Sequence, residues 1–249
     1  MPDFPYHRII SLVPSLTELL YDLGLKDQII GRTRFCIHPN YKIKQAEIIG
    51  GTKNPKLEEI VEMQPDLILA NKEENRKEDI EVLQKYAEVR VTDINTIEDA
   101  LLEITSLGKL LGVQEAANTL VKELNALLNE RPECPPLSVA YFIWKDPWMS
   151  VGHDTYIHDV LQSWQFTNLY GNETRYPKTD LQELRAKDPD LILLSSEPYP
   201  FKEKHIAEIQ EASPNSKIEL VNGEWFSWYG SRMKPAFEWL NNWRKELDR

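Results

Sequence analysis

Between residues 96 and 130 the apolar positions fall at Ile97, Leu101, Ile104, Leu107 and Leu111, then at Val113, Ala117, Leu120, Leu124 and Leu127. Steps of three and four residues place them on one face of a helix. Thr96 can cap its start, Glu98 and Asp99 suit the positive end of the helix dipole, and Pro132, Pro135 and Pro136 end the run. Gly108 and Gly112 are where the run can divide in two. A continuous helix over 113–130 would be about 27 Å long. It holds no Gly or Pro and reads as a stiff connection between two lobes, allowing only a small rocking motion.

The pentapeptide PDLIL stands on each side of this helix, at 65–69 and 189–193. Each copy follows a short amphipathic stretch, 55–63 or 181–187, and precedes polar residues that include Glu. Repeated context around a repeated motif predicts two similar lobes. Around these copies apolar runs alternate with helical patterns. In the first half, strands are expected at 9–13, 28–31, 47–50, 67–70 and 89–92, with helices at 16–23 and near 77–86. Ser15 and Glu18 form a candidate capping box, and Asn54 and Pro55 a candidate cap and first turn for the next helix. In the second half, strands are expected at 137–143, 149–151, 191–194 and 218–221, with helices at 155–164, 180–187, 201–212 and 235–247. An aromatic loop is expected at 223–230. Strands alternating with helices imply parallel pairing, so the fold class is α/β. The expected organisation is a first lobe over 1–95, a helical connection over 96–131 and a second lobe over 132–249.

Composition narrows the function. The net charge of −11 lacks the basic face of a nucleic-acid binder, so nucleic acid is not an expected partner. Two cysteines, Cys36 and Cys134, are too few for a disulfide framework. The start, MPDFPYHRIISLVPS, has neither the basic nor the apolar region of a signal peptide, and no lipid-attachment cysteine lies near it. As written the chain reads as cytoplasmic; removal of a leader would make it periplasmic or surface-anchored.

Ligands of parallel α/β sheets bind beyond the carboxyl ends of the strands. The loops there hold Arg32, Arg34, Phe35, Cys36 and His38, then Asn71, Glu73 and Glu74, then Trp144 and Trp148, then Glu197 and Tyr199, and last Trp225, Phe226 and Trp228; Arg175, Tyr176 and Arg232 are further ligand-binding candidates outside these five loops. Indole faces can cover flat apolar surface, and arginines, Arg76 among them, can pair with carboxylate or phosphate oxygens. Cys36 and His38 can together hold one soft metal ion, with His153 or His158 completing the set if the fold brings them near. The plainer alternative is a buried thiol and a hydrogen-bonded histidine. No GxSxG, Walker A or GxGxxG motif is present, and enzyme activity is not expected.

The stretches RIISLVPSLTE at 8–18, Gly31 and LEEIVEMQPDLILA at 57–70 resemble the first lobe of class III substrate-binding proteins of ABC importers, also called helical-backbone metal receptors. Gly152, Arg175-Tyr176-Pro177, the second PDLIL and Glu224-Trp225-Phe226 extend the resemblance to the second lobe, nearest to the cobalamin-binding branch. The resemblance implies two α/β lobes on a rigid backbone helix, with a ligand cleft between them. It implies a monomeric receptor for a corrinoid, haem or ferric siderophore, with no intrinsic cofactor. Cobalamin receptors place a tryptophan just after the first PDL strand, where this chain has Asn71. The family docks on its permease through one surface carboxylate per lobe, and Glu78 and Glu203 are the candidates. Two alternatives are a cytoplasmic protein that handles or senses a corrinoid or metal, and a direct receptor for free metal.

Overall fold

The computed structural model describes residues 4–40 and 43–247, so residues 1–3 of the opening stretch read for a signal peptide lie outside the described residues. The chain forms two compact units. One comprises residues up to Ile94, Glu98–Asn125 and Tyr229–Met233; the other comprises Asn95–Ile97, Ala126–Trp228 and residues from Lys234 onward.

The first half runs β1 (Ile9–Ser11), α1 (Pro14–Asp22), β2 (Ile29–Arg32), β3 (Glu47–Ile48), a small hairpin of β4 (Gly50–Gly51) and β5 (Asn54–Pro55), α2 (Leu57–Glu62), β6 (Leu67–Asn71), α3 (Lys77–Leu83) and β7 (Glu88–Thr92). Its main sheet has the order β3-β2-β1-β6-β7, parallel throughout. Strands β1 and β6 are buried at every position, which is why both read as unbroken apolar runs rather than as alternation. Ile10, Leu12, Ile60, Ile68 and Leu83 form the core around them.

Helices α4 (Ile97–Leu110) and α5 (Gln114–Asn129) follow, and the division between the units falls within α5, between Asn125 and Ala126. The second half runs β8 (Leu137–Phe142), β9 (Trp148–Met149), α6 (Tyr156–Ser163), β10 (Phe166–Asn168), β11 (Lys178–Thr179), α7 (Leu181–Lys187), β12 (Leu191–Ser195), α8 (Glu203–Ala212), β13 (Lys217–Val221), α9 (Glu224–Ser227) and α10 (Met233–Leu247). Its main sheet has the order β10-β8-β12-β13, also parallel. That order matches β2-β1-β6-β7, so the repeat seen in sequence is a repeat of topology, and the α/β class and the two parallel sheets are as expected.

The repeated motif has a physical role that is the same in both sheets. Asp66, ahead of β6, accepts the backbone N–H groups of His7 (2.7 Å) and Arg8 (3.0 Å) at the entry of β1. Asp190, ahead of β12, accepts the N–H of Ser138 (2.7 Å) and its hydroxyl (2.6 Å) in β8. Each carboxylate thereby satisfies donors on the strand beside its own.

Several local expectations are corrected. Helix α1 starts two residues earlier than read: Pro14 occupies the first turn after Val13 and no side chain caps it, so Ser15 and Glu18 make no capping box. Glu18 instead pairs with Arg232. Asn54 and Pro55 form a strand of the hairpin rather than a helix cap, paired with Gly51 and Gly50; a Cβ on Gly50, which sits at φ 102°, would lie 2.6 Å from Asn54 O, so glycine permits the pairing. The helical run breaks at Gly112 (φ 71°) alone, while Gly108 lies inside α4. The aromatic stretch 223–230 folds largely as α9 and the start of a one-turn 3-10 helix, Gly230–Arg232. Strand β10 was hidden by its brevity, three residues between Trp164-Gln165 and a polar loop.

Candidate binding surface at the carboxyl ends of the strands

In the first unit, backbone and amide hydrogen bonds tie four loops together at the carboxyl end of the sheet. Arg34 N–H donates to Gly50 O (2.9 Å), and the Asn75 amide donates to Thr52 O (3.0 Å) and Leu12 O (3.4 Å). Asn71 closes the β6 loop: its Oδ1 accepts from Glu73 N (2.8 Å) and Glu74 N (3.2 Å), while its amide donates to Thr92 Oγ1 (2.9 Å). Lys53 Nζ donates to Glu73 O. Asn71 is buried and Glu73 and Glu74 half-buried.

Within the 32–38 loop the side chains divide into two sets. Arg32 is buried and spends its guanidinium on the carbonyls of Ile43 (2.9 Å), Cys36 (3.0 Å) and Thr33 (3.2 Å). Cys36 is fully buried, its Sγ within 3.1 Å of Thr17 Oγ1 and 3.2 Å of Thr33 Oγ1. Burial pushes its thiol pKa up, against the pull of those hydroxyls. Arg34 and Phe35 stand outward instead. Phe35 is 49 % exposed, with the Arg34 guanidinium 5.1 Å from its ring centre, and Ile37 is 48 % exposed beside it. A Cβ on Gly51 would come within 3.2 Å of both Arg34 and the Phe35 ring, so the bare backbone of β4 lets the pair lie close. His38 is half-buried. Among the described residues no three His, Cys, Asp or Glu side chains are grouped as a metal site. Arg232 joins this unit through a bidentate pair with Glu18, both side chains largely buried. Burial raises the Glu18 pKa against the opposing charge of Arg232.

In the second unit the 173–177 loop is laid directly on 150–154. Ser150 N–H donates to Pro177 O (3.0 Å), Gly152 N–H to Arg175 O (2.7 Å) and His153 N–H to Glu173 O (3.0 Å). Arg175 N–H donates to the Asp154 carboxylate, which lowers the Asp154 pKa. A Cβ on Gly152 would lie 2.5 Å from Glu173 O, so only glycine allows this contact. Arg175 is exposed at φ 56°, with its guanidinium 5.5 Å from the half-buried Tyr176 ring. His158 is held beneath: Asn168 donates to its Nδ1 (3.0 Å), and burial lowers its pKa.

The other aromatic side chains form two groups. Trp144, 40 % exposed, lies edge-on to half-buried Tyr199 at 5.7 Å, and Tyr199 packs on Phe201 and His205. Trp148 is buried against Phe142 and stacked on Phe201 at 5.8 Å, a core role. In the second group Glu197 Oε1 accepts from Ser227 Oγ (2.9 Å) and Trp228 Nε1 (2.8 Å). Phe226 is fully buried on Tyr141 at 5.2 Å, Trp228 is nearly buried, and Trp225 is half-buried.

Sequence reasoning therefore named residues of two kinds. Arg34, Phe35, Arg175, Tyr176, Tyr199 and Trp225 reach the surface at the carboxyl ends of their sheets. Arg32, Cys36, Asn71, Trp148, Phe226, Trp228 and Arg232 are largely enclosed within their units, and Glu197 serves Ser227 and Trp228. It missed Asn75, Lys53 and Asp154, which shape the loops; Asn and Asp beside turns were the available signal.

A family model described as periplasmic binding protein matches residues 9–214. The chain is 25 % identical over 201 residues to the vitamin B12-binding protein of Vibrio parahaemolyticus, covering 78 % of this chain and 73 % of that one. It is 25 % identical over 199 residues to an uncharacterized ABC transporter substrate-binding lipoprotein, YvrC, of Bacillus subtilis, covering 75 % of this chain and 62 % of that one. In fold it resembles the periplasmic vitamin B12 binding protein BtuF of Vibrio cholerae, with a TM-score of 0.84, 21 % identity and coverage of 99 % and 100 % of the two chains. It also resembles the haem-binding protein BhuT in complex with two haems, with a TM-score of 0.80, 18 % identity and coverage of 97 % and 99 %.

Proposed function

The chain belongs to the periplasmic binding protein family, and from that premise we propose that it is a non-enzymatic receptor for a metal-containing chelate, a corrinoid, haem or ferric siderophore, that feeds an ABC importer. One observation carries the ligand class. Each unit presents, at the carboxyl end of its sheet, an arginine folded over the aromatic ring that follows it in sequence: Arg34 on Phe35, and Arg175 on Tyr176. A ring face covers flat apolar surface, and the guanidinium beside it pairs with peripheral oxygens. Trp144, Tyr199 and Trp225 enlarge the apolar area in the second unit. Phe35 takes the aromatic role in the first, since Asn71 is used to close its own loop.

Partner docking falls to Glu78 and Glu203. Both are exposed, in the first turns of α3 and α8, the helices that follow the two PDLIL strands. Working as a monomer with a permease, the receptor would act outside the cytoplasmic membrane; among the described residues no helix is long and apolar enough to cross one. Fractionation of the native host tests that location, and recovery in the cytosol rejects it.

Titration with haemin, cyanocobalamin and ferric siderophores, followed by calorimetry and tryptophan quenching, tests the receptor reading. Saturable binding of one chelate is expected. Absence of binding by all of them at tens of micromolar protein would overturn it.

A further inference from the structure

The residues of α9 are fixed in different ways. Phe226 is sunk in the core against Tyr141. Ser227 and Trp228 are tied to the Glu197 carboxylate. Trp225, the α9 ring that stays half in solvent, is held by ring contact. Its centre lies 4.6 Å from that of Trp239 in α10, with the planes tilted by 52°. Trp239 in turn stacks on Trp243, again at 4.6 Å but nearly parallel at 16°. Trp243 is anchored at the far end: its Nε1 donates to Glu219 Oε2 (2.9 Å), and its ring meets Phe226 at 6.2 Å and Phe166 at 5.5 Å. The three indoles make a ladder running from a core anchor to the surface.

We propose that Trp239 is a positioning residue for ligand binding: it fixes the plane of the Trp225 indole, so that Trp225 meets the chelate with one ring face already oriented. The inference rests on the receptor reading above. Restricting an indole before binding removes rotamer freedom that the complex would otherwise lose. The ladder also explains why α10 carries tryptophan at both 239 and 243, one helical turn apart, on the face that α9 covers. Trp239 itself stays half-buried behind Trp225, so its effect passes through Trp225.

A double-mutant cycle separates positioning from general packing. Affinity for the chelate bound by the unmodified protein is measured for W239L, W225L and the W225L/W239L pair, with W239F as the conservative variant and thermal melts for all. W239L should weaken binding by about tenfold. W239F, which keeps a flat ring under Trp225, should restore most of it. In the W225L background, W239L should change affinity by less than about twofold, because nothing remains to be positioned. If W239L weakens binding equally with and without Trp225, or leaves it unchanged in the otherwise unmodified protein, the positioning role is overturned while the receptor reading stands. If the unmodified protein binds none of the chelates, the receptor reading falls and this inference with it.

Discussion

At the scale of single residues, charge and hydrogen bonding decide what each polar side chain does. Asp190 shows this for the repeated motif. Hydrogen bonds from Ser138, its side chain first, hold the Asp190 carboxyl below the usual range. A carboxylate whose pKa is depressed by folding stabilises the protein above its unfolded value of about 3.9, and that contribution disappears as pH falls through the folded value. Asp190 is exposed and solvent screens these bonds, so D190A should cost about 1 kcal/mol or less at pH 7. Urea melts of both proteins should show the gap narrowing as pH falls below about 4; a gap that is constant with pH would locate the effect elsewhere. The buried pair of Glu18 and Arg232 makes a second case. R232M strands a buried carboxylate and should cost about 3 kcal/mol, whereas E18L/R232M should recover most of that loss. Equal destabilisation of the single and double variants in denaturant melts would contradict it. The motif PDLIL was visible in the sequence, but the work of its Asp was not, because the donors it serves lie on another strand.

At the scale of elements, glycines set how closely neighbours approach. Helix propensity alone favours alanine over Gly108 by about 1 kcal/mol. A Cβ there would instead overlap the Ala117 methyl of α5. G108A should therefore destabilise the protein, by about 1 to 3 kcal/mol from overpacking, and A117G should relieve the overlap. A higher melting temperature for G108A would refute this account. Gly152 works in the same way on the 173–177 loop. G152A should push 173–177 off 150–154, displace Arg175 and Tyr176, and weaken chelate affinity severalfold with little loss of secondary structure, as read by titration and circular dichroism. The sequence marked Gly108 as a helix break and left Gly112 equal to it. Only the φ of 71° at Gly112, against the helical backbone at Gly108, separates them.

At the scale of the whole molecule, two units of matching strand order hold α/β cores built from the same motif. Each carries its own arginine-on-ring group. Ligand binding to the folded chain alone should raise its stability by about 2.7 kcal/mol at a hundredfold excess over Kd. For a chain of this size that raises Tm by several degrees. A thermal shift series with haemin, cyanocobalamin and ferric siderophores reads this directly, and no shift from a chelate that binds in titration would mean that unfolded chain binds it equally.

The sequence by itself determined the α/β class, the two lobes and the long α5, because burial on both faces writes strands as apolar runs and a half-buried helix writes a period near 3.6. It also determined which loops stand at the carboxyl ends, since strand direction follows from the alternation with helices. What it left undecided was which way each loop side chain turns. Arg32 and Arg34 are two residues apart with the same chemistry, yet one is consumed by the carbonyls of Ile43, Thr33 and Cys36 and the other lies over Phe35 at the surface. Trp148 and Trp225 likewise differ only in what the fold places beside them, Phe201 in the core for one and Trp239 near the surface for the other. Those outcomes depend on partners brought from distant positions, and only tertiary structure decides them.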